Sequence, residues 1–255
     1  MLFDTHAHLN DKQYDSDRSE VIKRARENGV EYIITVSTDV ASSVENITLT
    51  QNYDFIYTAI GVHPHDVIDL NNNIISALTD FASYPRVVAM GEIGLDYFYD
   101  NSPREVQKMW FTKQISLARS LKLPVIVHDR DAHEDTMTIL KSENAKEIGG
   151  VLHCYSGSVE MAREVLNMNF MISIAGPITF KNANRLLEVV RYVPDDMLMI
   201  ETDSPYLTPE PFRGKRNEPA NVKLTAQKIA KIKGKPLDYI EKITTDNAKR
   251  LFKIQ

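Results

Sequence analysis

The sequence has a single cysteine, no long apolar run and no excess of positive charge, and each shortage excludes a class of protein. Cys154 cannot form an internal disulfide, so neither secretion nor an oxidising compartment is indicated. No apolar run approaches the ~18 residues that a transmembrane helix needs, so we expect no membrane role. Lys and Arg number 30 against 35 Asp and Glu, and the net charge of −5 excludes a broadly basic nucleic-acid coat.

Two sequence signals are also missing. The chain contains neither GxGxxG nor GxxxxGK[ST], so a dinucleotide site or a P-loop nucleotide site has no support. No charged-then-apolar leader precedes Asp4, and we therefore expect a cytoplasmic protein.

Length and composition are those of an ordinary globular protein. The chain has 255 residues, of which 43% are hydrophobic and 25% charged, enough for a sizeable core. An α/β barrel uses about 250 residues as one unit, so the length does not require two domains. Because no Pro-, Gly- or Ser-rich linker interrupts the chain, we expect one domain over residues 1–255.

Eight short β-rich apolar runs alternate with longer amphipathic stretches. The runs are Leu2–His6, Glu31–Ser37, Ile56–His63, Val87–Glu92, Val125–His128, Gly150–His153, Phe170–Ala175 and Met197–Asp203. This alternation is typical of repeated βα units around a parallel sheet. Eight such units in this length predict an α/β fold of the (β/α)8 TIM-barrel type, with an open doubly wound sheet as the alternative.

The helical stretches have recognisable ends. The clearest helix is predicted over Pro103–Leu121, with Ser102 as its N-cap and Pro103 in its first turn. Two further helices, Val222–Lys233 and Pro236–Leu251, follow the last strand. We expect these C-terminal helices to pack on the barrel.

Imidazoles and carboxylates are concentrated at the ends of the predicted strands. They are His6, His8, His63, His65, Glu92, His128, His153 and Asp203. A barrel converges the carboxyl ends of its strands on one pocket, and side chains two apart on a strand point the same way, as for His6 and His8. A lone histidine is more often a hydrogen-bonded residue than a ligand, but six of the seven histidines at such ends favour a metal site.

The two carboxylates support the same interpretation. Glu92 follows a buried-looking run, where an unpaired carboxylate is costly and a cation removes the cost. Asp203 supplies a second carboxylate after another apolar run. An internal salt bridge is the alternative for each.

Seven strings together resemble the TatD-type metal-dependent deoxyribonuclease family of the amidohydrolase superfamily, in order from Phe3 to Leu251. They are THAH (5–8), GVHPH (61–65), GEIGLDY (91–97), HDRDA (128–132), HCYSG (153–157), ETDSPYL (201–207) and RGKRNEP (213–219). Any single string is weak, whereas their joint occurrence is specific. The resemblance implies a TIM barrel with a two-metal hydrolytic site.

The resemblance also implies a ligand set. One metal is bound by His6, His8, Glu92 and Asp203, and the second by Glu92, His128 and His153, with Glu92 as the bridge. Two divalent ions are expected: mixed imidazole and carboxylate ligands accept Zn, Mn, Co or Ni, and the resemblance adds Mg, which prefers oxygen ligands. Asp203 is the candidate general base, and Glu92 serves the geometry of the site.

Four further residues are candidates for substrate binding. Arg130 offers planar donors to phosphate oxygens, and His63 and Tyr155 offer hydrogen bonds to the substrate. A capping imidazole that flanks Pro64 is the alternative for His63. Asp129 departs from the small polar residue usual in the family, but strand alternation turns it away and returns Arg130 to the pocket. Arg213 belongs to a rim cluster with Lys215 and Arg216 that suits a polynucleotide backbone. A solvated loop anchored by Asn217 and Glu218 is the alternative for that cluster.

The remaining candidates have simpler interpretations. Strand alternation turns Cys154 away from the metals, so we do not expect a nucleophile there. His65 is expected to flank the ligands, outside the contacts to substrate. Tyr97 and Phe98 could stack on a base, but aromatic residues after a strand are more often packed.

The function implied by the resemblance is a 3'-5' exodeoxyribonuclease acting on single-stranded or duplex DNA ends. The same site could instead hydrolyse an ester or amide, as in a D-aminoacyl-tRNA deacylase. A third possible function, without catalytic activity, is that of a metal-loaded binding or scaffold module. No obligate protein partner is indicated.

Overall fold

The computed structural model describes residues 1–68 and 70–255 of the chain. Its eight parallel strands form one sheet in chain order. They are β1 (Leu2–Ala7), β2 (Val30–Val36), β3 (Ile56–Ile60), β4 (Val87–Asp96), β5 (Val125–Arg130), β6 (Gly150–Leu152), β7 (Phe170–Ile174) and β8 (Leu198–Ile200). An α-helix follows each strand before the next begins, as the alternating pattern predicts.

The helices surround the sheet, and two of them come after β8. They are α1 (Arg18–Glu27), α2 (Val40–Asn52), α3 (Asn72–Phe81), α4 (Arg104–Leu121), α5 (His133–Ser142), α6 (Val159–Asn167), α7 (Asn184–Tyr192), α8 (Val222–Lys233) and α9 (Leu237–Phe252). The predicted (β/α)8 fold with C-terminal helices is therefore confirmed. Within the described residues, every helix is too short or too polar to cross a bilayer.

The sheet closes into a barrel through the residues that follow β8. Asp203 donates its N–H to the carbonyl oxygen of His6 at 2.9 Å, and His8 donates to that of Ser204 at 2.7 Å. Thr5 Oγ1 donates to the Ile200 carbonyl at 3.0 Å. These bonds join the first strand to the last and bring Asp203 beside the two histidines of β1.

The amino-terminal end of the barrel is sealed by α9. Asn247 on α9 donates its side-chain N–H to the carbonyl oxygen of Leu198, the first residue of β8, at 2.8 Å. Phe252 and Ile254 are buried in one cluster with residues of the strands, including Phe3. This end is therefore apolar packing, which leaves the carboxyl ends of the strands for chemistry.

Several boundaries differ from the sequence-based expectation. β4 continues past Glu92 to Asp96, so Glu92 lies inside the strand. β8 ends at Ile200, so Asp203 lies in the loop beyond it. The predicted cap of α4 is wrong: the helix begins at Arg104, Pro103 is in the N-cap position, and the Ser102 hydroxyl donates to the His65 carbonyl at 2.9 Å.

We predict that Phe252→Ala lowers the free energy of unfolding by about 3 to 5 kcal/mol, because it leaves a cavity under the barrel. Phe252 is 3% exposed. Urea denaturation followed by circular dichroism measures the loss. Tyr84→Ala, at a side chain that is 42% exposed, is the control, and an equal loss in both variants would contradict the sealing role of α9.

Candidate metal centre

The strand ends open into a cavity of ≈ 840 Å³. Its walls include His8, His63, Glu92, His128, His153 and Asp203. His6 lies fully buried behind them. The structure thus brings together all six residues that the resemblance gave as metal ligands.

The first cluster joins two imidazoles of β1 to two carboxylates. His6 Nε2 lies 3.3 Å from His8 Nε2, 3.4 Å from Glu92 Oε2 and 3.7 Å from Asp203 Oδ1. His8 Nε2 lies 3.7 Å from Glu92 Oε2 and 3.4 Å from Asp203 Oδ1. A tetrahedral site with metal–ligand bonds of about 2.1 Å has edges of about 3.4 Å. These five distances therefore fit one metal among four ligand atoms.

The second cluster forms on the other oxygen of Glu92. Oε1 lies 2.7 Å from His128 Nδ1 and 2.7 Å from His153 Nε2, and the two nitrogens are 3.2 Å apart. His63 Nε2 lies 3.8 Å from the same oxygen. Glu92 therefore presents one oxygen to each cluster, which is the geometry of a bridging carboxylate.

The outer nitrogens of two of the histidines, His8 and His128, are held by hydrogen-bond acceptors, whereas Nδ1 of His6 and of His153 has no hydrogen-bond partner within the described part of the chain. His8 Nδ1 lies 3.1 Å from the Val36 carbonyl oxygen, and His128 Nε2 lies 3.1 Å from Asp96 Oδ2. A nitrogen that donates outward leaves the lone pair of the inner nitrogen directed at the cluster. These rings are therefore oriented as metal ligands.

Two of the carboxylates involved were not singled out from the sequence. Asp96 Oδ2 bridges His128 and His65, at 3.1 and 3.0 Å from their Nε2 atoms. Glu201 is fully buried, accepts the Cys154 N–H at 2.6 Å and places Oε1 3.3 Å from His153 Nδ1, a contact whose alignment falls short of a hydrogen bond. Both residues lie within the recognised strings, as the Asp of GEIGLDY and the first residue of ETDSPYL.

Among the described residues there are three groups of side chains that could each hold a metal ion, because the ligand atoms within each group all lie within 4.8 Å of one another. The groups are His6 with His8 and Asp203, His6 with His153 and Glu201, and His63 with Glu92 and His128. Glu201 lies on the Nδ1 side of the His153 ring, which is the side away from Glu92. It is thus a further carboxylate beside the site, in addition to the six residues expected as metal ligands.

The buried carboxylates stabilise positive charge in their surroundings. Burial alone raises the pKa of Glu92, but the charges of His153, His6 and His63 outweigh it and hold this pKa well below its usual range. Burial lowers the pKa of His153, yet Glu92 and Glu201 raise it well above the ordinary value. Because the cluster attracts positive charge in this way, its donor atoms suit divalent metal ions.

The expected substrate residues do not all reach the cavity. His63, Arg130 and Arg213 line it. Tyr155 does not: its side chain is 3% exposed and its hydroxyl donates to the Ser158 carbonyl at 2.7 Å. The expected contact of Tyr155 with substrate is therefore not supported, because its hydroxyl is used within its own loop.

Two neighbouring side chains lie as the strand alternation predicts. Asp129 is absent from the cavity wall and lies 2.7 Å from His133 Nδ1. Cys154 is also absent from the wall, and burial raises the pKa of its thiol well above the usual value. Neither residue offers chemistry to the cavity.

The basic cluster of the rim divides into two roles. Arg213 and Lys215 line the cavity. Arg216 instead lies 2.8 and 2.7 Å from the two carboxylate oxygens of Asp17 and donates to the Gln13 carbonyl at 2.6 Å. Asn217 is buried and donates to the Tyr206 carbonyl at 2.7 Å. The loop is thus both anchored to the barrel and open to the cavity.

Comparison with known proteins places this arrangement in a family. The model of the family described as TatD related DNase matches residues 3–253. The chain belongs to the TatD family. A Bacillus subtilis relative, named an uncharacterized metal-dependent hydrolase (YabD), is 52% identical over 254 residues and covers 100% of both chains.

Two further TatD-family proteins extend the comparison. A Rahnella protein named 3'-5' ssDNA/RNA exonuclease TatD is 35% identical over 257 residues, covering 98% of each chain. The crystal structure of a TatD homologue from Escherichia coli, YJJV, superposes with a TM-score of 0.94 at 29% identity, covering 100% of this chain and 98% of the other. The chain is thus a metal-dependent hydrolase of the TatD family over its whole length.

We predict that Asp96→Asn weakens binding of Mn²⁺ about 10- to 100-fold, because the amide no longer fixes the orientation and tautomer of His128. Isothermal titration calorimetry on metal-depleted protein measures the change. Asp135→Asn is the matched control, since that carboxylate binds Tyr97 and Lys108 instead. If Asp96→Asn binds Mn²⁺ with unchanged affinity, Asp96 does not orient His128 for metal binding.

Proposed function

We propose that the chain is a two-metal phosphodiesterase that removes nucleotides from DNA ends as a 3'-5' exodeoxyribonuclease. The observation that carries this proposal is the sharing of Glu92 by two imidazole–carboxylate clusters beneath a cavity that Arg130, Arg213 and Lys215 also line. We further propose that residues 1–255 act as one domain, in the cytoplasm and without an obligate protein partner.

The metal ligands in this proposal are the two clusters that Glu92 joins. They are His6, His8, Glu92 and Asp203 for one ion, and Glu92, His128 and His153 for the other. These residues would hold two divalent ions, which would supply activation of a water molecule near neutral pH and neutralisation of charge on the phosphate. Imidazole and carboxylate donors accept Zn, Mn, Co or Ni, and Mg is retained because of the family resemblance.

Asp203 is the proton acceptor of the proposed reaction. Its carboxylate lines the cavity, and although burial raises its pKa, the hydrogen bond to His8 and the charge of His6 lower it below the usual value. It is therefore ionised at neutral pH and can take a proton from the attacking water. Glu92 is 3% exposed with imidazoles at both oxygens, which suits a fixed bridge.

His63 is the proposed hydrogen-bond donor to a phosphate oxygen. Its Nδ1 accepts the His65 N–H at 3.1 Å, so a neutral ring carries its proton on Nε2. Burial lowers the pKa of His63 well below the usual value, which keeps the ring neutral. Nε2–H is then available to substrate in the cavity.

The charge distribution supports a phosphate-bearing substrate. The chain is acidic overall, with a net charge of −5, yet the exposed side chains of Arg130, Arg213 and Lys215 surround the cavity. These three cations attract the phosphates of a polyanion, and the carboxylates that line the same cavity would be offset by bound divalent ions. The printed name of the Rahnella relative agrees with a nucleic-acid substrate.

We predict that Asp203→Asn reduces the rate of nucleotide removal at least about 100-fold, because the amide neither accepts a proton nor binds metal as a carboxylate does. The assay uses metal-depleted protein, end-labelled single-stranded DNA and added Mg²⁺, Mn²⁺ or Zn²⁺, with separate 5' and 3' labels to show the attacked end. Circular dichroism checks that the variant is folded.

Stepwise, metal-dependent shortening from the 3' end that Asp203→Asn abolishes is the expected result. If the protein binds the metal ions but cleaves DNA with none of them, the nuclease proposal is contradicted. Aminoacyl-tRNA esters, including D-aminoacyl esters, are then the next substrates to assay, because the same site can activate water toward an acyl carbon.

A further inference from the structure

Two aromatic side chains on the rim remain unexplained by packing. Phe98 and Tyr99 follow β4 and are 56% and 55% exposed. Their neighbour Tyr97 is half-buried, with its hydroxyl bound to Asp135 and the guanidinium of Arg104 over its ring at 4.2 Å. Exposed aromatic rings grouped beside a cavity mark a binding surface.

The two rings are held in place by the polar end of β4. Asp96 Oδ1 accepts the backbone N–H groups of Phe98 and Tyr99 at 3.0 and 2.9 Å. The ring centroids are 4.9 Å apart and the rings are perpendicular. The guanidinium of Arg130, at the end of β5, lies 4.2 Å from the Phe98 centroid and 4.9 Å from that of Tyr99. The rings of Phe98 and Tyr99 are therefore exposed to solvent and yet held in fixed positions.

Tyr99 and Arg130 both line the cavity. The second positively charged part of the rim, Arg213 and Lys215, follows β8, and β4 and β8 are four strands apart in the eight-stranded barrel. Strands four apart in such a barrel face each other across its axis. The aromatic surface after β4 and the cationic loop after β8, in which the Arg213 guanidinium lies 4.2 Å from the Phe180 ring centroid, thus border the same cavity from different strands.

We propose that Phe98, Tyr99 and Arg130 form a stacking platform for one nucleobase of single-stranded DNA, with one ring against the face of the base and the perpendicular ring against its edge. The DNA backbone then continues across the cavity toward Arg213 and Lys215. This inference rests on the proposed nuclease function and names a subsite for it. Nucleobases stack on aromatic rings and guanidinium planes, and the adjoining phosphates are attracted to the cations. Because every base offers a π-face, the platform accepts bases of any sequence.

The test moves a single abasic position along a single-stranded oligonucleotide. The full-length protein, loaded with Mn²⁺, is titrated with fluorescent DNA whose phosphorothioate linkages slow hydrolysis, and anisotropy gives Kd for each abasic position. We expect affinity to fall about 5-fold or more at one or two adjacent positions only, because loss of a stacked base removes that contact while the charges remain.

In the variant Phe98→Leu/Tyr99→Leu the loss of affinity at the abasic positions is expected to shrink to less than about 2-fold, since only the guanidinium of Arg130 remains to contact a base. Tyr192→Leu is the matched control: Tyr192 is 39% exposed beside the guanidinium of Arg163 and lies outside the cavity wall. It should reproduce the wild-type profile. A flat profile for the wild type, an unchanged profile in the double variant, or failure to bind DNA overturns the platform.

Failure of the proposed function gives a different result. Unmodified DNA is assayed for cleavage in parallel with the same protein. A position-dependent profile without cleavage by any metal overturns the nuclease proposal and leaves the platform in place. Cleavage of DNA with a flat abasic profile overturns the platform alone.

Discussion

The buried carboxylate of Glu92 is the interaction on which the rest of the site depends. Five imidazoles approach its two oxygens within 3.8 Å, those of His6, His8, His63, His128 and His153. A carboxylate at 3% exposure is costly unless positive charge or hydrogen bonds compensate it. That compensation has to come from separate strands, and a closed barrel is the geometry that brings their ends to one point. The fold and the site are thus parts of one electrostatic arrangement.

The two ends of the barrel divide stability from chemistry. At the amino-terminal end, α9 seals the interior with apolar packing from Phe252 and Ile254. At the carboxyl end, polar anchors fix the loops that carry the exposed cations and aromatic rings: Asp96 holds the segment after β4, and the Asp17–Arg216 pair holds the segment after β8. Loops held in this way can present binding groups without contributing to the core.

Much of this arrangement was accessible from the sequence. The alternation of apolar runs predicted eight βα units and favoured a closed barrel over an open doubly wound sheet, and the strand-end histidines were expected to converge, as the structure places them. The expected cap of α4 at Ser102 was wrong, and elsewhere polar side chains have nearby partners that local spacing does not predict. Ser102 binds the His65 carbonyl and does not cap α4, Tyr155 binds its own loop, and Arg216 binds Asp17. Asp96 was passed over because the strand was expected to end at Glu92, four residues earlier.

The sequence by itself determined the periodicity of the elements and the kinds of side chain at each strand end. These depend on local spacing, because a strand alternates its faces every residue and a helix repeats every 3.6 residues. Only the tertiary structure decided which oxygen of Glu92 meets which imidazole, which ring nitrogens face outward, and that Phe98 and Tyr99 stay exposed beside Arg130. Those facts depend on distances of a few ångströms between residues such as His128 and Glu92, which are 36 positions apart. Packing of the closed barrel sets these distances, and no local pattern encodes them.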